Sequence, residues 1–291
     1  MSLESIKIET LSPAEMTAKA VTIGITKASL PMRRLLLLSM LAGVFIGFGC
    51  LLASVVTTGA SGTLPYGVTR LLGGFIFSLG LILVVIGGAE LFTGNALMII
   101  AWMDRKITLG SMLRNWSIVY LGNFLGALLL AGLVFLSGEY RFGGGSVGLV
   151  MLNTALMKLN YGFGQALVLG ILCNILVCLA VWLTYSARST TDKILAIVFP
   201  ITAFVAAGFE HSIANMYALP MALFIKLFDP SFAVQSALNL SPITWNNIVF
   251  KNLLPVTLGN IIGGALLVGM VYGLVYLSMK VKTPPEVVRS K

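Results

Sequence analysis

Apolar residues fill this chain in long uninterrupted runs, and polar residues gather at a few places between or inside them. Residues 35–69, 115–138, 159–187 and 252–279 contain no Asp, Glu, Lys or Arg. About 20 apolar residues suffice to cross a hydrocarbon core ~30 Å thick as a helix. The pattern predicts six spans, near residues 34–58, 66–100, 112–136, 161–185, 194–225 and 250–278. The second and fifth are over-long, and each carries a glycine-flanked polar cluster at its middle. Gly87, Gly88, Glu90 and Gly94 mark the expected break in one, and Gly208 to Asn215 the break in the other.

These breaks belong to a repeat. Gly88-Ala89-Glu90-Leu91-Phe92-Thr93-Gly94-Asn95 and Gly208-Phe209-Glu210-His211-Ser212-Ile213-Ala214-Asn215 share the spacing Gly, one residue, Glu, four residues, Asn. Leu121-Gly122-Asn123 in the third span recurs as Leu258-Gly259-Asn260 in the sixth. Each half therefore holds three spans, and an odd number forces the halves to point opposite ways. The fold class expected is all-α integral membrane, an inverted 3+3 repeat with helices two and five broken. Paired interruptions at matching places in two halves point to a substrate path between them.

Three regions follow: a polar segment 1–32, a six-span domain 33–280, and a basic tail 281–291. In the first, Ser12-Pro13-Ala14-Glu15 is a helix-start signature, with serine as cap, proline in the first turn and glutamate reaching back. A short amphipathic helix on the cytoplasmic surface is expected, with 138–160 and 226–247 as outer loops. Polar residues fill the first thirty positions, so no cleavable signal is predicted and the first span stays as an anchor.

Composition agrees: the chain is 58% hydrophobic and 10% charged, against about 25% charged in soluble domains. The net charge of +9 does not call for nucleic acid. With the N-terminus inside, 14 of the 19 Lys and Arg fall on the inner side, the expected bias of cytoplasmic loops. Both termini are expected in the cytoplasm. Cys50, Cys173 and Cys178 are scattered through apolar spans, which argues against disulfides and against a metal site; no cofactor is implied.

His211 is the one histidine of 291 residues. An ionisable group within the membrane is a functional hypothesis by default, since burying its charge costs at least ~2.5–3.5 kcal/mol. The bland alternative is a neutral ring satisfied by a neighbouring helix. Glu90 and Glu210 can line a path or cap the amides where each half-helix restarts, and the second reading is preferred here. Asn95, Asn215, Asn123 and Asn260 are assigned to the repeat framework. Thr93 can exchange hydrogen bonds with a carboxylate and with His211.

Phe77-Ser78-Leu79-Gly80-Leu81, the two Gly-x-Glu segments, Gly170-Ile171-Leu172-Cys173-Asn174 and Pro255-Val256-Thr257-Leu258-Gly259-Asn260 resemble the formate/nitrite transporter family. Leu136-Ser137-Gly138-Glu139-Tyr140 and Asp192-Lys193 make the formate channels the nearest group within it. The resemblance implies an aquaporin-like fold, a homopentamer with a pore in each subunit, and passage of formate across a bacterial inner membrane. It implies His211 as the central histidine, Thr93 as the loop threonine, Lys158 as an outer lysine drawing anions in, and Asn174 as an asparagine near the path. Phe77 and Phe204 become an outer apolar constriction, and Leu81, Phe92 and Val177 an inner one. The expected mechanism has His211 supplying or sharing a proton so that formate crosses as the neutral acid. Nitrite, hydrosulfide and lactate are the alternatives of the same family. No enzyme is expected: Gly59-Ala60-Ser61-Gly62 resembles an intramembrane serine protease motif, but its serine falls in a turn.

Overall fold

The computed structural model of the chain describes residues 9–60 and 62–278. Ser61, residues 1–8 and the basic tail lie outside the described residues. The described chain is helical, and six of its helices are long and apolar enough to cross a membrane. In chain order they are α2 (Met32–Thr57), α3 (Tyr66–Gly87), α5 (Leu109–Ser137), α7 (Phe163–Ser186), α8 (Thr190–Ala207) and α11 (Trp245–Tyr276).

Two shorter apolar helices continue the broken spans. After α3 the chain passes through Gly88 to Leu91 and restarts as α4 (Phe92–Met103); after α8 it passes through Gly208 to His211 and restarts as α9 (Ser212–Phe228). Both breaks turn on a left-handed glycine, Gly88 at φ 80° and Gly208 at φ 80°, a conformation that a side chain would oppose. In each half the first and third spans pack on a small-residue seam. A methyl group on Gly126 would collide with the Met40 carbonyl, and one on Gly263 with that of Ile171. Helix association without water depends on such close approach.

The expected outer loop at 138–160 is a correction. It contains a 14-residue helix, α6 (Ser146–Leu159), that buries Val147, Met151, Leu152 and Ala155. Its start follows three consecutive glycines with positive φ, Gly143 to Gly145, which read as a loop and in fact turn the chain into a helix. A short helix α10 (Pro230–Gln235) occupies part of the second loop.

The N-terminal helix α1 (Pro13–Ser29) carries the expected capping box between Ser12 and Glu15. It buries Met16, Thr17, Ala20, Val21 and Gly24 against the protein. Polar ties add to that contact: Asn115 Nδ2 donates to the Lys27 carbonyl (3.1 Å) and Lys19 Nζ to that of Tyr185 (2.7 Å). Span α11 includes π-helical turns at Ile248–Leu253 and Ile262–Met270. Such turns gather at functional sites, and the first of them presents Asn252.

Candidate functional site

Each break is held by a set of bonds that the other repeats. The Glu90 amide donates to the Leu38 carbonyl (3.1 Å), and the Glu210 amide to that of Leu169 (3.2 Å). Asn123 donates to the carbonyls of Ser39 (2.7 Å) and Glu90 (2.8 Å) while its Oδ1 accepts from the Phe92 amide (2.9 Å). Asn260 donates to Gly170 (2.8 Å) and Glu210 (3.0 Å) while accepting from the Ser212 amide (2.9 Å). Buried backbone groups freed by a break must find partners in the bilayer core. One asparagine per half supplies two of them, the break glutamate's carbonyl and the amide that opens the half-helix, and its third bond reaches a carbonyl within that half's first span.

The glutamates do not cap helices, which corrects the reading preferred above. Glu210 accepts from Lys158 Nζ (2.7 Å), Asn215 Nδ2 (2.7 Å) and Asn252 Nδ2 (3.2 Å). Glu90 accepts from Lys27 Nζ (2.7 Å) and Asn95 Nδ2 (2.8 Å), and Asn95 passes a further bond to Asn115 Oδ1 (2.8 Å). Asn215 bonds Asn252 Oδ1 in the same way (2.7 Å). A carboxylate in a low-dielectric setting gains more from an ammonium than from an amide, so the asparagines take the caps. Lys158 is therefore an ion-paired lysine at its mouth, with its side chain 14% exposed.

Lys27, Asn115 and Asn252 complete these networks and are absent from the expected site. The signal for them was present. Asn115 and Asn252 each stand eight residues before the paired Asn123 and Asn260, and Lys27 and Lys158 each stand eleven before Leu38 and Leu169.

Two cavities approach each other from the two mouths. One, of about 470 Å³, is lined by Lys158, Glu210 and Arg70 at its wall and by Phe77, Phe204 and His211. The rings of Phe77 and Phe204 meet edge to face at 5.5 Å, and the His211 ring lies 5.9 Å from Phe204. The other, about 270 Å³, is lined by Lys27, Glu90, Leu81 and Leu91, with Lys19 and Lys193. Phe92 instead packs edge-on to Trp116 (6.1 Å) and Tyr120 (5.0 Å). Val177 is buried in the core at 1% exposure. Leu91, which the sequence reading passed over, holds the repeat position opposite His211.

Between the cavities His211 Nε2 lies 2.9 Å from Thr93 Oγ1. The Ala214 amide donates to Nδ1 (3.1 Å), so His211 also caps α9. An amide bound at Nδ1 leaves the proton of a neutral ring on Nε2, which donates to Thr93. The Thr93 hydroxyl then keeps its own proton for another acceptor. Asn174 sits one layer back, donating to the carbonyls of Thr93 (3.3 Å) and Asn260 (2.6 Å), and Cys178 also approaches the Thr93 carbonyl (3.3 Å). Its Oδ1 is buried with no partner among the described residues. These bonds make Asn174 a support for the Thr93 peptide.

The family model for the formate/nitrite transporters matches residues 14–274. Formate channel FocA of Escherichia coli (strain K12) is 48% identical over 271 residues, covering 92% of this chain and 95% of that protein. Its namesake in Haemophilus influenzae is 41% identical, covering 93% of this chain and 97% of that one. A solved pentameric formate channel with formate bound superposes with a TM-score of 0.79 at 47% identity, covering 84% of this chain and 98% of its own.

Proposed function

This chain belongs to the formate/nitrite transporter family, and on that premise we propose that it passes formate through each subunit of a homopentamer. Membership in a family of transporters removes the protease reading of the Gly59–Gly62 turn. The observation that carries the proposal is the His211–Thr93 pair, held between two cavities whose near walls are apolar rings and leucines.

Moving a bare carboxylate through an apolar neck costs tens of kcal/mol in the Born limit. Protonating an acid of pKa near 3.9 at pH 7 costs about 4 kcal/mol. Formate therefore takes a proton from water in the cavity before it enters the neck. There the pair shares hydrogen bonds with it: Nε2–H to Thr93, and the Thr93 hydroxyl to a substrate oxygen. A ring whose Nδ1 is already occupied offers a donor without offering a full charge, so it favours the neutral acid over the anion. The lysine–glutamate pairs at the mouths hold the break backbones in place. The same proposal puts the protein in the bacterial inner membrane, surrounded by lipid, with both termini and the α1 mouth in the cytoplasm. The Lys and Arg asymmetry supports that orientation.

Replacement His211→Asn tests the mechanism. Asparagine supplies donors that suit an anion and so drops the preference for the neutral acid, and formate uptake into liposomes should lose its accompanying proton. Unchanged proton coupling would reject the role of His211. A flux series with formate, nitrite, acetate and hydrosulfide at two pH values tests the substrate, and formate should move fastest.

A further inference from the structure

The mouth beside α1 carries more positive charge than its acids neutralise. Lys19, Lys27 and Lys193 all line its cavity, and Glu90 is the one carboxylate among the described lining residues. Glu90 is already paired with Lys27 at 2.7 Å. The Lys19 ammonium reaches only a backbone carbonyl, that of Tyr185. The Lys193 ammonium has no hydrogen bond or ion pair with any described residue. Asp192, beside it in sequence, is turned away: its carboxylate accepts the amides of Arg188 (3.1 Å) and Ser189 (2.9 Å). Burial, and then the nearby charges of Lys193 and Arg188, disfavour the protonated form of Lys19. These cations crowd one rim from two elements, α1 and the start of α8, and Glu90 is the one described carboxylate lining the cavity they share.

We propose that this rim binds a doubly charged phosphate oxyanion, which bridges Lys19 on α1 to Lys193 on α8 and narrows the mouth. A singly charged carboxylate would leave one of the two ammonium groups uncompensated. A phosphate carries two charges and several acceptor oxygens on one small tetrahedron, so separate ammonium groups can each take one. The oxyanion can be free phosphate or a phosphomonoester from solution, or the phosphomonoester headgroup of an anionic lipid such as phosphatidate reaching the rim. Bound there, it ties α1 to the span that leads into the His211 break. Its effect on passage rests on the formate reading above; its binding does not.

The test uses the full chain in neutral-lipid vesicles, with and without anionic lipid, and with inorganic phosphate or chloride at matched ionic strength. Amide exchange of residues 13–29 reports binding, and formate flux reports passage. Phosphate should slow both, and Lys193→Gln should raise the half-effective phosphate concentration roughly tenfold, the loss of one charge-assisted contact. Protection that needs only anionic lipid assigns the oxyanion to the headgroup. Equal responses to phosphate and chloride, or equal responses of Lys193→Gln and the parent chain, overturn the proposal. Absence of α1 protection in every vesicle overturns it too. Protection without any formate flux would keep the anion site and sink the formate reading instead.

Discussion

The two mouths are built to one plan and diverge most tellingly at the residue that restarts the broken helix. At each, a lysine from the helix preceding a half's first span pairs with that half's break glutamate, Lys27 with Glu90 and Lys158 with Glu210. At each, two asparagines close the network and a third caps the half-helix. Then Leu91 stands on one side and His211 on the other. A duplicated polar frame fixes the backbone, and one departure from the duplication supplies a hydrogen-bonding ring. The mouths differ also in tenure. Lys158 rides on α6, which lies between the spans α5 and α7, whereas Lys27 rides on α1, which leads into the span α2.

Breaking the ion pairs should show that difference most strongly. Glu210→Ala leaves the Lys158 ammonium with 14% exposure and no counter-charge, and should cost about 3–5 kcal/mol in thermal unfolding of the purified protein. Glu90→Ala should cost roughly half as much, because α1 can lift Lys27 into water. Equal losses would mean that α1 is as firmly held as α6.

Removing the caps should erase the difference. Asn123→Ala and Asn260→Ala each orphan the break glutamate's carbonyl and the amide that opens the half-helix, and both should lose about 2–4 kcal/mol. A gap between the two beyond about 1 kcal/mol would count against equivalent frames, since alanine removes the same three bonds from each.

At the point of divergence Thr93→Val keeps shape and removes the hydroxyl. Formate flux should fall about 5–30-fold, the effect of about 1–2 kcal/mol at the neck, with little change in unfolding temperature. A matching loss of stability would make Thr93 a structural residue.

The smallest effects are those of pH outside the spans, and they carry the same sign at the two mouths, in different pH windows. Asp229 is held well below the usual carboxylate range by the Ser231 hydroxyl first, then Tyr140 and Arg141. A depressed carboxyl stabilises above its unfolded value near 3.9, and the gain is lost as pH falls through the folded value. The loop around Asp229 should therefore stay docked down to about pH 4. Lys19 is depressed by burial and by neighbouring cations. Between its folded value and 10.5 the undocked state binds more protons, so docking of α1 should tighten as pH rises through that window. Amide exchange of 13–29, corrected for intrinsic rate, should slow accordingly; faster corrected exchange would reverse the sign.

Much of this was legible in the residues. Uncharged runs fixed the span count, because water-seeking groups cannot be left in lipid. The Gly-x-Glu spacing located both breaks, since glycine alone turns a helix through positive φ at no steric cost. The Ser12–Glu15 capping box formed as read because its four residues settle it among themselves. Helix α6 was not legible: three glycines signalled a loop, and the apolar face that makes 146–159 helical is defined by what α9 presents to it.

What the sequence determined by itself is whatever depends on local spacing: six spans, two interruptions, a duplicated framework and a single ionisable ring within it. What only the tertiary structure decided is who pairs with whom across those spacings. Glutamates two residues before a helix start looked like caps, yet asparagines from another span took that place. Lys27 and Lys158, distant in the chain, drew the carboxylates away. A cap is worth about 1 kcal/mol wherever it comes from, whereas a carboxylate out of water must find a cation, and which cation is within reach is settled by packing.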